Sequence, residues 1–344
     1  MSYRLTQNEA DAVFAELLKK FDIYAPHRHV CAGRYSDDDI VKYDKVESLS
    51  DVEYKKKSDY PMKEVISPIQ QALFYFTEDE YRESKVSSRP ILIFARPCDI
   101  NAQKIQARIY AGNGGFTDSY YERMKDRVKY ILMDCEGGDD NCFCVSMHTN
   151  KTDNYSLAVK FHEDGSLFVK VKDQDFDNYF QEIKEIEFEP EFVNKNELKV
   201  TVPVIKDHET LNKLKAHPMW NEFNSRCISC GACTIACSTC TCFTTKDIIY
   251  GDNPEVGERR RIESSCQVDG YTTVAGGISY RKTAGEKMRF KMLHKFHDYK
   301  ERFVDSDMCV GCGRCTARCP QFISITTTLD KMSKAIEEIE KGEV

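Results

Sequence analysis

No run of about 18 apolar residues occurs, so no membrane-spanning helix is expected. The start, MSYRLTQNEADAVF, lacks an apolar signal core and a cleavage site, and the arginines of GERRRIE (257–263) lie mid-chain. The expected compartment is therefore the cytoplasm. No basic stripe stands out, and net charge is −7 over 344 residues, which argues against nucleic acid as a partner. No G-x-G-x-x-G follows a strand-like run. YAGNGGF (110–116) has the wrong spacing and reads as a turn after a helix. Walker A, H-E-x-x-H and nucleophile-elbow patterns are also missing, as is any convincing general acid/base pair. His27 and His29 read as surface histidines. The chain offers nothing recognisable that makes or breaks substrate bonds.

What is present is cysteine: sixteen of them, in a chain that is 41% hydrophobic and 31% charged. In a reducing compartment such clustered thiols point to metal rather than to disulfides. Cys227, Cys230, Cys233 and Cys237 follow the spacing C-x2-C-x2-C-x3-C. Cys309, Cys312, Cys315 and Cys319 repeat it, and Pro320 completes the bacterial ferredoxin signature. Three thiolates on a tight loop grip three irons of a cubane. The fourth faces away and, in two-cluster ferredoxins, ligates the other cluster. The expected ligand sets are Cys227, Cys230, Cys233 and Cys319 for one [4Fe-4S] cluster, and Cys309, Cys312, Cys315 and Cys237 for the other. Gly231, Gly311 and Gly313 allow the loops to turn closely around the sulfurs. Ser238 stands where the first comb would carry proline. The competing reading of paired C-x2-C spacings is structural zinc.

Between Cys237 and Cys309 lie 71 residues, far more than a small ferredoxin needs. They hold Cys240, Cys242, Cys266 and a basic stretch. That stretch reads either as a docking surface, or a stabiliser of anionic cluster sulfurs, or as a solvated covering layer. A further set, Cys98 after Arg96-Pro97, Cys135 at a strand end, and Cys142 and Cys144 in a glycine- and aspartate-rich loop, is a candidate third cluster. Cys31 reads as an unligated thiol.

The expected fold is α+β: an N-terminal α/β domain over 1–205, then a helical two-cluster ferredoxin-like domain over 206–344 with a long insertion between the combs. Residues 5–22 read as an amphipathic helix capped by Thr6, with Glu9 closing a capping box. Residues 91–95 and 128–136 read as buried strands, with a helix from Asp99 between them. Residues 155–171 read as a hairpin turning at Asp164-Gly165, and 207–223 as a helix interrupted near Pro218. The tail LDKMSKAIEEIEKGEV reads as a solvated helix.

The stretches RPCDINAQ, ILMDC with NCFCVSM, CISCGACTIACSTCTCF and SSCQVDGYTTVAGG, with the closing comb, resemble the A subunit of anaerobic sulfite reductase. They are also similar to the beta subunit of cytoplasmic sulfhydrogenases. The resemblance covers about residues 60 to 330. It implies a three-subunit enzyme: a flavin subunit taking electrons from NADH, a sirohaem subunit reducing sulfite to sulfide, and this chain carrying electrons between them on [4Fe-4S] clusters. The alternatives are the matching subunit of a nickel–iron hydrogenase/sulfur reductase and, in another class, a zinc-stabilised interaction scaffold.

Overall fold

The computed structural model describes residues 1–135, 137–303 and 306–343. The chain divides into two units, each assembled from separated stretches. The first takes Met1–Ile69, Arg82–Asp139 and His148–Asn196; the second takes Gln70–Tyr81, Asp140–Met147 and Glu197–Val344. The last crossing between them thus falls at 196/197, close to the expected boundary of 205, but two short stretches of the N-terminal half belong to the second unit.

The first unit contains β1 (Ser2–Leu5), α1 (Gln7–Lys20), β2 (Asp22–His29), β3 (Ile40–Lys45) and α2 (Lys63–Ile66). The chain then supplies β4 (Gln70–Phe76) to the second unit and passes through β5 (Tyr81–Glu83). Back in the first unit follow β6 (Ile91–Ala95), α3 (Pro97–Tyr110), α4 (Ser119–Lys125), β7 (Val128–Met133), β8 (Leu157–Phe161), β9 (Leu167–Val171) and β10 (Lys184–Glu185). Eight strands form one sheet in the order β10-β1-β9-β8-β7-β6-β2-β3. Its centre, β2-β6-β7-β8, is parallel, and antiparallel pairs close both flanks.

The apolar run of β6 follows from this position. A central strand covered on both faces buries every side chain, so it reads as continuous rather than alternating. Leu92 and Phe94 pack on one face with Phe14 and Leu17 of α1. Ile91, Ile93 and Ala95 pack on the other with Ile100 of α3 and Tyr121 of α4. The start of α1 is the capping box read from the sequence: Thr6 N–H donates to Glu9 Oε2 at 2.7 Å, and Glu9 N–H donates to Thr6 Oγ1 at 3.4 Å. The helix is two residues shorter at each end than expected, because Ser2–Leu5 pairs as an edge-side strand with β9 and β10. α3 starts two residues before Asp99, with Pro97 in its first turn, where the missing N–H costs no hydrogen bond. β7 stops at Met133; Cys135 keeps a single bridge to Phe192, and Glu136 lies outside the described residues.

The second unit adds α5 (His208–Ala216), α6 (Glu222–Arg226), α7 (Ala232–Ile235), β11 (Phe243–Ile249), β12 (Gly257–Glu263), α8 (Ala284–Leu293), α9 (Tyr299–Phe303), α10 (Arg314–Ala317) and α11 (Ile325–Lys341). It is not purely helical as expected: β11 and β12 form a hairpin in a four-stranded sheet ordered β11-β12-β4-β5. Its apolar core gathers Leu214 of α5, Trp220, Phe223 of α6, Met292 of α8 and Leu329 of α11, and four comb cysteines pack against it. The break near Pro218 is real. His217 ends α5 and accepts from Met219 N–H through Nδ1, while Trp220 Nε1–H donates back to Leu214 O at 2.8 Å. The tail differs from expectation. α11 buries Leu329, Met332, Ala335, Ile336 and Ile339, a helical stripe whose charged residues fill the opposite face. Val344 lies outside the described residues.

Candidate iron–sulfur centres

The two combs fold alike. In each, a glycine in the left-handed region sits between the second and third cysteine and opens a one-turn helix: Gly231 (φ 79°) before α7 and Gly313 (φ 70°) before α10. Two residues earlier the chain is left-handed again, at Ser229 (φ 54°) and Gly311 (φ 63°). The glycines of the second comb are doubly constrained. A Cβ on Gly313 would stand 2.3 Å from Asn141 O, and one on Gly311 would stand 2.6 Å from Phe143 O. The stretch 140–147 thus lies directly on the second comb, where Phe143 N–H donates to Gly311 O at 2.8 Å.

A cavity beside the first comb is lined by Cys227, Cys230 and Cys233 of that comb and by Cys315 and Cys319 of the other, with Ile228, Met288, Ile323 and Ile325 supplying an apolar wall. The fourth sulfur of the first comb, Cys237, lies in the neighbourhood of Cys309 and Cys315. Four thiolates on an apolar, glycine-turned loop are the donor set of a cubane. Burial pushes the Cys227 thiol up and the Cys315 thiol up to about 12, so thiolates here need cationic partners.

Those partners include protein cations. Lys287, Lys291 and Lys295 follow one another at four-residue steps along α8 and the π-helical turn that continues it, and each is 3% exposed. Lys287 binds Asp269 and Ser229. Lys291 Nζ donates to Cys233 O at 3.3 Å. Lys295 Nζ donates to Cys237 Sγ at 3.3 Å, to Thr239 Oγ1 at 2.9 Å and to Met308 O at 3.3 Å. Burial alone would lower the pKa of Lys291 and Lys295, but the cysteine sulfurs around them hold both above the ordinary lysine range. Arg314, 1% exposed, donates to Ser238 Oγ at 3.0 Å. The hydroxyl that replaces proline in the first comb therefore receives a buried guanidinium. Cys240 is buried, and its hydrogen bond, seconded by Lys295, holds Cys237 well below the usual thiol range. Cys242 and Cys266 form a second hydrogen-bonded pair, with Cys266 held down to about 5 by its bond from Cys242.

Residues 226–323 match the 4Fe-4S dicluster domain. The cofactors are [4Fe-4S] clusters, and the zinc scaffold is set aside. The chain is also similar to sulfhydrogenase 2 subunit beta of Pyrococcus furiosus, 27% identical over 361 residues, which covers 98% of this chain and all of that protein. No solved structure matches the chain.

The other cysteines lie as follows. Cys98 is buried in the first turn of α3, and Cys135 follows β7; both belong to the first unit. Cys135 lines a cavity of about 280 Å³ at the C-terminal ends of β6, β7 and β8, where open α/β sheets place their ligands. Arg96 also lines it and donates to Cys135 Sγ at 3.5 Å and to Tyr54 O at 3.0 Å. Cys142 and Cys144 are buried in the second unit, and Cys142 Sγ donates to Cys312 O at 3.6 Å. Cys31 is exposed. Lys291 and Lys295 belong to the basic stretch between the combs, for which a stabiliser of anionic cluster sulfurs is one of the readings; Arg314 has no role in the sequence reading. The signal was there in KMRFKMLHK, where lysines at every fourth position run beside Met288, Met292 and Phe296.

Proposed function

We propose that the chain is the iron–sulfur electron-transfer subunit of a multi-subunit oxidoreductase. Its own residues hold two [4Fe-4S] clusters: Cys227, Cys230, Cys233 and Cys319 the first, Cys309, Cys312, Cys315 and Cys237 the second. When bound, such clusters accept and release single electrons. The carrying observation is the cavity in which Cys319 joins the first comb. Exchanged fourth ligands make the combs one body, so the two clusters lie close together. Cys230 is exposed and Cys312 buried. The first cluster therefore offers its edge to a partner, while the second is screened.

In the reading from the sequence motifs, the partners are a flavin subunit oxidising NADH and a sirohaem subunit reducing sulfite. The second reading, a sulfhydrogenase-type complex, is favoured by the full-length likeness to the Pyrococcus furiosus protein. Anaerobic purification of the native complex from its source cells separates them. Sirohaem absorbance and NADH-driven sulfite reduction support the first reading; nickel and hydrogen-linked sulfur reduction support the second. A chain that purifies alone, colourless and without acid-labile sulfide, overturns both.

A further inference from the structure

Two buried lysines next to the combs lack the partner that buried lysines require. An ammonium removed from water is strongly destabilising unless an opposite charge stands close by. Lys287 has one, Asp269, whose side chain is 86% exposed. Among the described residues no carboxylate pairs with Lys291 or Lys295. What faces them instead is sulfur and carbonyl oxygen. Lys295 Nζ lies 3.3 Å from Cys237 Sγ, and Lys291 Nζ lies 3.3 Å from Cys233 O, within the field of Cys233 and Cys315. Thr239 fixes Lys295 from the side: its hydroxyl accepts from the ammonium and donates to Met308 O at 2.9 Å. Each lysine is thus aimed by packing and hydrogen bonds at the place where thiolate charge collects.

A cubane with four thiolates is an anion in its oxidised form and gains one further negative charge on reduction. A fixed cation nearby favours the reduced form more than the oxidised one. We propose that Lys291 and Lys295 are permanent counter-charges of the two clusters and raise their reduction potentials, Lys295 acting mainly on the cluster held by the second comb and Cys237, and Lys291 on both. They are positioning residues: they take no electron and exchange no proton, and the electron added to a cluster comes from the redox partner. This rests on the reading that the combs hold cubanes.

The test is a spectroscopic redox titration of the anaerobically purified full chain, following the electron paramagnetic resonance of the reduced clusters. Lys295→Gln and Lys291→Gln keep a donor but remove the charge; Lys295→Arg and Lys291→Arg keep the charge. At a fixed ambient potential, each Gln variant should lower the ratio of reduced to oxidised cluster at least tenfold, about 59 mV for a one-electron couple. The Arg variants should stay within about threefold of the unmodified chain. Gln variants that hold full iron and titrate like the unmodified chain overturn the proposal, as do Arg variants shifted as far as the Gln ones. If the Gln variants lose iron, retention of iron by the Arg variants supports it, and equal loss from both counts against it. An unmodified chain without iron and sulfide fails the cubane reading itself, a result distinct from unchanged potentials in an iron-replete protein.

Discussion

At the scale of single residues, the second comb tolerates least at its glycines. Gly313 combines a left-handed backbone with a Cβ position 2.3 Å from Asn141 O, whereas Gly276, at φ 83°, faces open space. Gly313→Ala should therefore cost about 3 kcal/mol from strain and overlap together. It should also drop roughly half the iron bound by the combs. Gly276→Ala should cost only about 1 kcal/mol, the conformational penalty alone. Thermal unfolding and iron analysis of the two variants check this, and equal effects would mean that contact with the 140–147 stretch is unimportant. Ser238→Ala removes the hydroxyl that accepts from buried Arg314. Loss of a hydrogen bond to a charged group should cost about 2 kcal/mol without changing the iron content.

At the scale of elements, the crossed ligands and α11 make the sharpest claims. Cys319→Ser should bleach the signal of the cluster nested in residues 227–233 while leaving that of the second comb in place. The reverse pattern, seen by electron paramagnetic resonance, would refute the exchange. α11 begins just after Ile323, which lines the first cavity and shares the core with Leu329. Leu329 is completely buried, so Leu329→Ala should lose about 3 kcal/mol and loosen that cavity wall. Faster release of iron from the first comb on mild heating is the expected readout.

The elements also show where sequence reading reaches and where it stops. The α1 capping box, the β6 strand and the break at Pro218 depend on neighbours a few residues away, so they were legible. The burial of α11 depends on Trp220 and Phe223, roughly a hundred residues earlier in the chain. Its charge therefore reads as solvation in the sequence, although the apolar stripe is visible in its spacing. The combs were legible because thiol spacing alone dictates the chemistry. For Lys291 and Lys295 the sequence leaves a stabiliser of cluster sulfurs, a docking surface and a solvated layer side by side, because a lysine's meaning depends on whether it faces water, and only packing decides that.

At the scale of the whole molecule, the proposed ligand sets of eight thiols in two combs would hold about eight irons at four per cubane. Acid-labile sulfide and iron counts on anaerobic protein should reach at least that number, and any excess must be held by the remaining cysteines. With neither a dinucleotide fingerprint nor an acid/base pair, the chain by itself should take electrons from dithionite yet fail to oxidise NADH or reduce sulfite. Sulfite turnover by the isolated chain at the rate of a full complex would mean that a catalytic centre had been missed. No helix among the described residues is long and apolar enough to cross a membrane.

The threading of the second unit has a consequence for how the protein is made. Residues 70–81 and 140–147 leave the ribosome long before the partners they pack with: β4 pairs with β12, and Gly311 and Gly313 lie some 170 positions downstream of Asn141. The first unit is complete once Asn196 has emerged, so it can collapse during synthesis with those two stretches still waiting as unpaired loops. In the proposed ligand exchange, the first comb in turn lacks its fourth sulfur until Cys319 has been made. Under that exchange, loading of the first comb waits for residue 319, and a ribosome stalled earlier releases a product without a complete first cluster.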